Sequence, residues 1–481
     1  MTIGAPAGES TGPQAKSDLW LICPICKQPN PSGTLHCKFC WGASLYSVRP
    51  ITTEELATFT TRREKKQKRW AVLRTAVIAI GAPLLLLASA FFWIYAFTDL
   101  LFAPPAHLNS TSQPGESAMY RHDLARTGSA DASTVNPTGK LKWSFRADDE
   151  IRSTAAVANG MVYFGSNDHK LYALDAATGQ KRWEFEVGSW VESSPAIVNG
   201  VVYFGSNDGF VYALDAVSGR QLWSFETPYA VKSSPAVAGN VVYIGGDDYF
   251  VYALDARTGK QIWRFETDSH VMSSPVIADG ILYIGSMDFS CYALNAENGR
   301  FRLKMNTFEV LSSPAVSDGK VYFTSRSFLF AMDGKARNWP GEESLRPWWL
   351  QFYAFRLAPP PPPRSGVLWG MRLSFSSSDT TPIVSGDSLF TTAGGSLYRV
   401  DLTTRKSTWT FPTTSTIRSS PALANNVLYV GNNDGLLYAV NADTGTALWT
   451  YNTGMEIRSS PTYTHGVVYV TSRNGTIYAL E

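Results

Sequence analysis

Histidine and cysteine are scarce in this chain of 481 residues, with six of one and five of the other. Four of the cysteines fall between residues 23 and 40, and Cys291 is the fifth. A secreted disulfide scaffold spreads its cysteines through the fold, so this distribution argues against disulfides as the main support of the long remainder. An excess of charge is missing too. Lys plus Arg number 42 against 40 for Asp plus Glu, a formal net charge of +2, which leaves no strongly basic nucleic-acid footprint. No nucleophile elbow, P-loop or HExxH stands out. Long apolar runs are absent, with one exception after residue 75. Aromatic residues are plentiful at 13%, against 17% charged, a balance that suits a packed β protein better than a disordered one.

The abundance lies in a repeat. Residues 193–225 read SSPAIVNGVVYFGSNDGFVYALDAVSGRQLWSF, and 233–265 read SSPAVAGNVVYIGGDDYFVYALDARTGKQIWRF. Pro195, Pro235 and Pro275 stand 40 residues apart. Each copy holds four runs in which Val, Tyr, Phe, Trp and Ile alternate with small or polar residues, the period-2 pattern of strands. Asn-Gly, Ser-Gly and an Asn-Asp-Gly turn separate the runs, because tight hairpins need positive φ. Four antiparallel strands in about 40 residues is the size of one propeller blade.

The N-terminal part is organised differently. Residues 1–18 are small and polar and are expected to be disordered. Cys23, Cys26, Cys37 and Cys40 form two CxxC pairs within residues 19–46, which resemble a bacterial zinc ribbon of the CPxC…CxxC type. Two knuckles of this kind make a closed S₄ site, structural rather than catalytic, since no coordination position stays open; two disulfides or four free thiols are the alternatives. A basic juxtamembrane segment (47–69) follows, then an expected transmembrane helix (70–101). Its core, Thr75–Phe97, carries no charge, and 23 helical residues span about 34 Å, enough for a bilayer. Arg62, Arg63, Lys65, Lys66, Lys68, Arg69 and Arg74 precede the span, and the first positive residue after it is Arg121. The positive-inside rule then puts the N-terminus in the cytoplasm and the repeats outside, extracellular or periplasmic. Residues 102–118, with Pro104, Pro105 and Pro114, read as a stalk.

Residues 119–128, MYRHDLARTG, and the repeats that follow resemble the pyrroloquinoline quinone (PQQ) propeller family, whose pattern …SSPA…G.VY.GS.DG.LYALDA.TG…W.F covers residues 141–481. The expected fold is therefore all-β: an eight-bladed β-propeller (119–481) of four-stranded blades, preceded by one transmembrane helix and a small zinc ribbon. The count of eight comes from Ala155, Pro195, Pro235, Pro275, Pro314, Pro382, Pro421 and Pro461 in the first strand. The tryptophan strand agrees, through Trp143, Trp183, Trp223, Trp263, Leu303, Trp369, Trp409 and Trp449. A lone tryptophan strand opens the array and its last copy stops one strand short, so the Trp143 strand is expected to close the ring.

Two places break the period. An insertion at 334–367 carries Trp348, Trp349, Phe352, Tyr353 and Phe355 ahead of the prolines 359–363. Such a cluster docks on a partner or a membrane interface, or folds back on its own propeller. The second departure is charge at the channel mouth, where Arg152, Glu192, Lys232, Met272, Leu311, Asp379, Arg418 and Arg458 stand in register. Arg152, Lys232, Arg418 and Arg458 form a candidate site for an anionic ligand, or simply a solvated rim.

In the enzyme branch, the resemblance implies PQQ sandwiched over a tryptophan, a vicinal disulfide in some members, calcium and an Asp base. This sequence has no adjacent cysteines and no acidic cluster outside the repeat turns. It is more similar to the non-enzymatic scaffolds of the family, such as the outer-membrane protein-assembly lipoprotein. The sequence thus points to a membrane-anchored protein-interaction scaffold or sensor, with structural zinc, no PQQ and no nucleic acid on the propeller. A PQQ-dependent dehydrogenase and a glycan or anionic-ligand receptor are the alternatives.

Overall fold

The computed structural model describes residues 19–40, 43–97, 119–120, 129–130, 136–307, 312–325, 327–374 and 380–481. The expected disordered leader and the stalk lie outside these residues, as do Leu311 and Asp379 of the mouth register. The chain divides into two compact units, Met1–Ala96 and Phe97–Glu481.

In the first unit, β1 (Leu19–Ile22) lies between β2 (Pro29–Pro31) and β3 (Ile51–Thr52) in one antiparallel sheet. Leu19 pairs with Thr52, so the ribbon's sheet runs beyond the boundary expected at residue 46. Helix α1 (Thr53–Phe97) begins directly afterwards and continues for 45 residues. Residues 53–69 of the basic segment are therefore helical and continuous with the apolar stretch. The reason is local. Glu55 N–H donates to Thr52 Oγ1 at 3.2 Å while Thr52 N–H donates to Glu55 Oε2 at 2.9 Å, a reciprocal cap that satisfies two otherwise orphaned donors. Lys, Arg and Glu are good helix formers, so nothing stops the helix before the apolar half. Leu84, Leu85, Leu86, Leu87 and Phe91 are all exposed, and the helix is long and apolar enough to cross a membrane.

The second unit is all-β apart from one helix. Its first full sheet is β6 (Ala156–Ala158), β7 (Met161–Gly165), β8 (Lys170–Asp175) and β9 (Lys181–Glu186), in that order and antiparallel throughout. Eight sheets of this pattern succeed one another among the described residues, the arrangement of a β-propeller. The innermost strand of each is three residues long and mostly buried. The pairing of the third and fourth strands slips by one residue at Ala173/Leu174, and again at the matching place in the following sheets. A bulge of this kind increases the local twist.

Closure involves the N-terminal strand. β5 (Leu141–Arg146) pairs with Thr476–Leu480, Trp143 facing Ala479, and so supplies the fourth strand of the C-terminal sheet. One strand was not anticipated. β4 (Ser129–Ala130) runs parallel to Ala422–Ala424 and gives that sheet a fifth member.

Between sheets the core is apolar. Ala156, Leu171 and Ala173 of the first sheet pack with Val202, Phe204 and Leu214 of the next. Polar side chains then lock neighbours together. Trp143, Trp183, Trp223 and Trp263 each donate their Nε1–H to an alanine carbonyl of the following sheet, Ala176, Ala216, Ala256 and Ala296, at 2.9–3.0 Å. The glycine three residues after each of those alanines lies against the ring: a Cβ on Gly179, where φ is +72°, would sit 2.6 Å from Trp143. Near the axis the second residue of each Ser-Ser pair links neighbours. Thr154 N–H donates to Ser194 Oγ, Ser194 to Ser234, Ser234 to Ser274 and Ser274 to Ser313, at 2.9–3.0 Å. Thr381 donates likewise to Ser420 and Ser460 to Thr154.

Candidate metal centre and propeller mouth

The four ribbon cysteines come together as their spacing predicts. Cys23 and Cys26 stand on a turn after β1, with Lys27 at φ 61°, and Lys27 N–H donates to Cys23 O at 3.0 Å. All four Sγ atoms lie within 4.8 Å of one another. Cys23 Sγ is 3.7 Å from Cys40 Sγ, and Cys26 Sγ is 3.5 Å from Cys37 Sγ. A tetrahedral zinc with bonds of about 2.3 Å has edges of about 3.8 Å, so the four sulfurs fit such an ion with little movement. Cys23 and Cys37 are fully buried. Burial pushes the Cys37 thiol up, but the N–H groups of Phe39 and Cys40 and the Asn30 side chain outweigh it and leave the thiol below its usual value. Asn30 is a supporting residue that the CxxC pattern does not reveal. Fully buried, it directs Nδ2 at Cys37 Sγ (3.5 Å) while Oδ1 accepts from Lys38 N–H (2.9 Å).

At the propeller mouth, Arg152, Lys232 and Arg458 are half-buried and Arg418 is exposed. The expected arginine cluster meets carboxylates instead of open space. Arg152 reaches Glu192 at 2.7 Å and Glu150 at 3.1 Å. Arg458 reaches Glu456 at 2.8 Å, and Lys232 reaches Asp247 at 2.9 Å. The residue the repeat reading missed is Arg473. It lies between Glu150 at 2.5 Å and Glu456 at 2.8 Å, and so connects the two ends of the array. Glu192, Arg152, Glu150, Arg473, Glu456 and Arg458 thus form one chain of alternating sign. The bond from Arg473 holds the Glu150 carboxyl below the usual carboxylate range. Burial pushes Glu456 up, yet Arg458 and Arg473 outweigh it and its carboxyl is also lowered. A signal was present: Arg473 interrupts the Asn-Asp-Gly turn of other copies, and Glu-Ile-Arg occurs at both 150–152 and 456–458.

PQQ carries three carboxylates, so a site for it would call on cations of the chain. Three of the four cations expected at the rim already hold carboxylates of this chain. Cys291 is buried within a strand.

The insertion runs between the strands Phe328–Asp333 and Val367–Arg372 and folds as α2 (Glu342–Ala354) followed by the proline run. Its base is fixed. Glu342, 1% exposed, accepts from Ser365 N–H at 2.9 Å and Asn338 Nδ2 at 2.9 Å. Leu303 stands where other copies have tryptophan and packs with Ala336 of the insertion. Trp349 is half-buried and donates Nε1–H to Pro359 O at 2.9 Å. Trp348, Phe352, Tyr353 and Phe355 are exposed, so four of the five aromatics do not fold back on the propeller.

Sheet succession and repeat together define a β-propeller of the PQQ type. The family profile described as outer membrane protein assembly factor BamB matches residues 128–264, 247–338 and 393–481. The chain belongs to this BamB-like repeat family. No curated protein matches it. Among solved structures it is similar to BamB from Moraxella catarrhalis, at 17% identity and TM-score 0.57, covering 71% of this chain and 97% of that one. It is also similar to a europium-containing methanol dehydrogenase, at 12% identity and TM-score 0.64, covering 76% and 98%. A third is the quinohemoprotein alcohol dehydrogenase from Comamonas testosteroni, at 15% identity and TM-score 0.61, covering 77% and 81%. At these identities the likeness is one of fold.

Proposed function

We propose that the chain is a single-pass membrane scaffold: an eight-bladed propeller outside the cytoplasmic membrane, joined by α1 to a cytoplasmic ribbon that holds one structural zinc. The observation that carries this reading is α1, whose described apolar half buries no leucine, in a chain that belongs to the BamB-like family. Basic residues in its N-terminal half set the orientation. Protease added to spheroplasts, whose cytoplasmic membrane is intact and directly exposed, should degrade the propeller and spare residues 19–69; a protected propeller overturns the orientation.

Protein binding rather than oxidation is the activity we assign to the propeller. Against the dehydrogenase reading, three of the four cations named at the mouth are already paired with carboxylates of the chain. Saturable binding of PQQ with Ca²⁺, coupled to dye-linked oxidation of an alcohol or sugar, would overturn our assignment. An anionic ligand at the mouth would fall chiefly to Arg418, since Arg152, Lys232 and Arg458 face carboxylates of the chain.

A further inference from the structure

We propose that α2 is a second membrane contact: an interfacial helix that lays its aromatic stripe into the headgroup region of a bilayer containing anionic lipid. The inference rests on the α1 reading, because the propeller must be held at a membrane for a weak interfacial element to act.

Spacing comes first. Leu345, Trp348, Phe352 and Phe355 follow one another by three, four and three residues, which places them along one side of the helix. All four are exposed, at 55%, 63%, 49% and 74%. Tyr353 and Leu357 extend the patch at 47% and 74% exposed. Soluble surfaces rarely concentrate large apolar side chains in this way, and Trp, Tyr and Phe with a polar edge are the types that settle at the headgroup level.

Rigidity comes second. The insertion is braced rather than loose, by Glu342 at its base and by two bonds to the proline run, from Trp349 to Pro359 and from Arg346 to Pro362. The stripe is therefore held outward before it meets anything, which limits the ordering entropy lost on contact.

Charge chooses the occupant. Between residues 342 and 364 the carboxylates are Glu342 and Glu343, against Arg346, Arg356 and Arg364. Glu342 is buried, and Glu343 accepts from Asn306 at 3.0 Å. The outward field of the segment is accordingly positive, the complement of an anionic headgroup layer. In sequence, 21 residues (98–118) separate α1 from Met119, a length that would span about 70 Å if fully extended.

The test uses the full-length protein in nanodiscs doped with a photoactivatable lipid, made once with phosphatidylglycerol and once with phosphatidylcholine alone. Adduct-bearing peptides are then mapped by mass spectrometry. We expect adducts on α1 in both discs and on residues 345–357 in the anionic one. The double variant Trp348→Ser plus Phe352→Ser should lower the α2 adducts by on the order of tenfold or more, since each removes a large apolar contact, while α1 adducts stay unchanged. Arg356→Gln should lower them several-fold in the anionic disc. Adducts on α1 with none on α2 overturn the interfacial helix and leave the membrane span intact. Absence of adducts from α1 overturns the span itself. Crosslinks between α2 segments of two chains in one disc, in place of lipid adducts, would assign the patch to self-association and likewise overturn the proposal.

Discussion

Ser460 gives its amide proton to Thr154 Oγ1 at 3.1 Å across 306 residues of chain. Similar bonds between neighbouring sheets span only 39 or 40 residues, so one chemical device serves both the ordinary joint and the joint that closes the array. Other parts of the closure include the pairing of β5 with Thr476–Leu480, the indole of Trp143 on Ala176, and Arg473 between Glu150 and Glu456.

Deleting residues 141–147 should therefore open the ring. The lost strand exposes an edge and removes Trp143, itself worth about 3–5 kcal/mol on truncation to alanine. Urea unfolding of the propeller should begin at much lower denaturant than in the intact protein, and an unchanged midpoint would show that β5 is dispensable.

Arg473→Met tests the ion chain. We expect a loss of about 1–3 kcal/mol at pH 7, since two charge-assisted bonds disappear. The pH dependence supplies the sign. Both glutamates have lowered folded values. Their stabilisation is thus present in full above the unfolded value of about 4.3 and fades as pH falls through the folded values. The variant should start lower at neutral pH and decline less on acidification through that window. A parallel decline in both proteins would remove Arg473 as the cause.

Gly160 and Gly179 separate two costs that sequence alone merges. Their φ values are nearly the same, +71° and +72°, but a Cβ on Gly160 meets nothing within 4 Å, whereas one on Gly179 strikes Trp143. Gly160→Ala should cost about 1 kcal/mol and Gly179→Ala about 2–4 kcal/mol. Equal losses in thermal unfolding would mean the indole yields without penalty.

For the ribbon, zinc should be present at about one per chain and should vanish when Cys23 and Cys37 are replaced by serine. Asn30→Ala should weaken retention against a chelator by about 10–100-fold, the range for a residue that supports a ligand sulfur. Zinc retained in the double serine variant would refute the four-sulfur site.

Local signals carried the legible part of this protein. Asn-Gly turns, period-2 strands and paired CxxC knuckles each declare themselves within a few residues, and the recurring tryptophans gave the outer strands. What stayed hidden depends on residues far apart. Arg473 and Glu150 stand 323 residues from each other, and the second serine of each Ser-Ser pair acts on a neighbouring sheet. The start of α1 was different: Thr52 and Glu55 announce it locally, but the long basic run masked a helix that was already under way. The orientation of Trp348 and Phe352 was open because an aromatic cluster packs inward or outward with equal ease until its support is known. Glu342 and the proline run supply that support.

The carbonyl of Glu481 accepts from both Thr138 N–H and Lys140 N–H, at 3.0 and 3.1 Å, and Lys140 O accepts from Glu481 N–H at 2.9 Å. The two ends of the sheet array therefore lie side by side, already bonded as neighbours within one strand turn. In topological terms the sheets form a circle joined at this seam by hydrogen bonds alone. A short linker from Glu481 to residue 137, with new termini cut at the Asn159–Gly160 turn, would give a circular permutant of residues 137–481 that gives up the β4 pairing and keeps the bonds from Trp143 to Ala176 and from Ser460 to Thr154. Which hairpin of the ring is left open is, for this fold, a matter of tethering rather than of architecture.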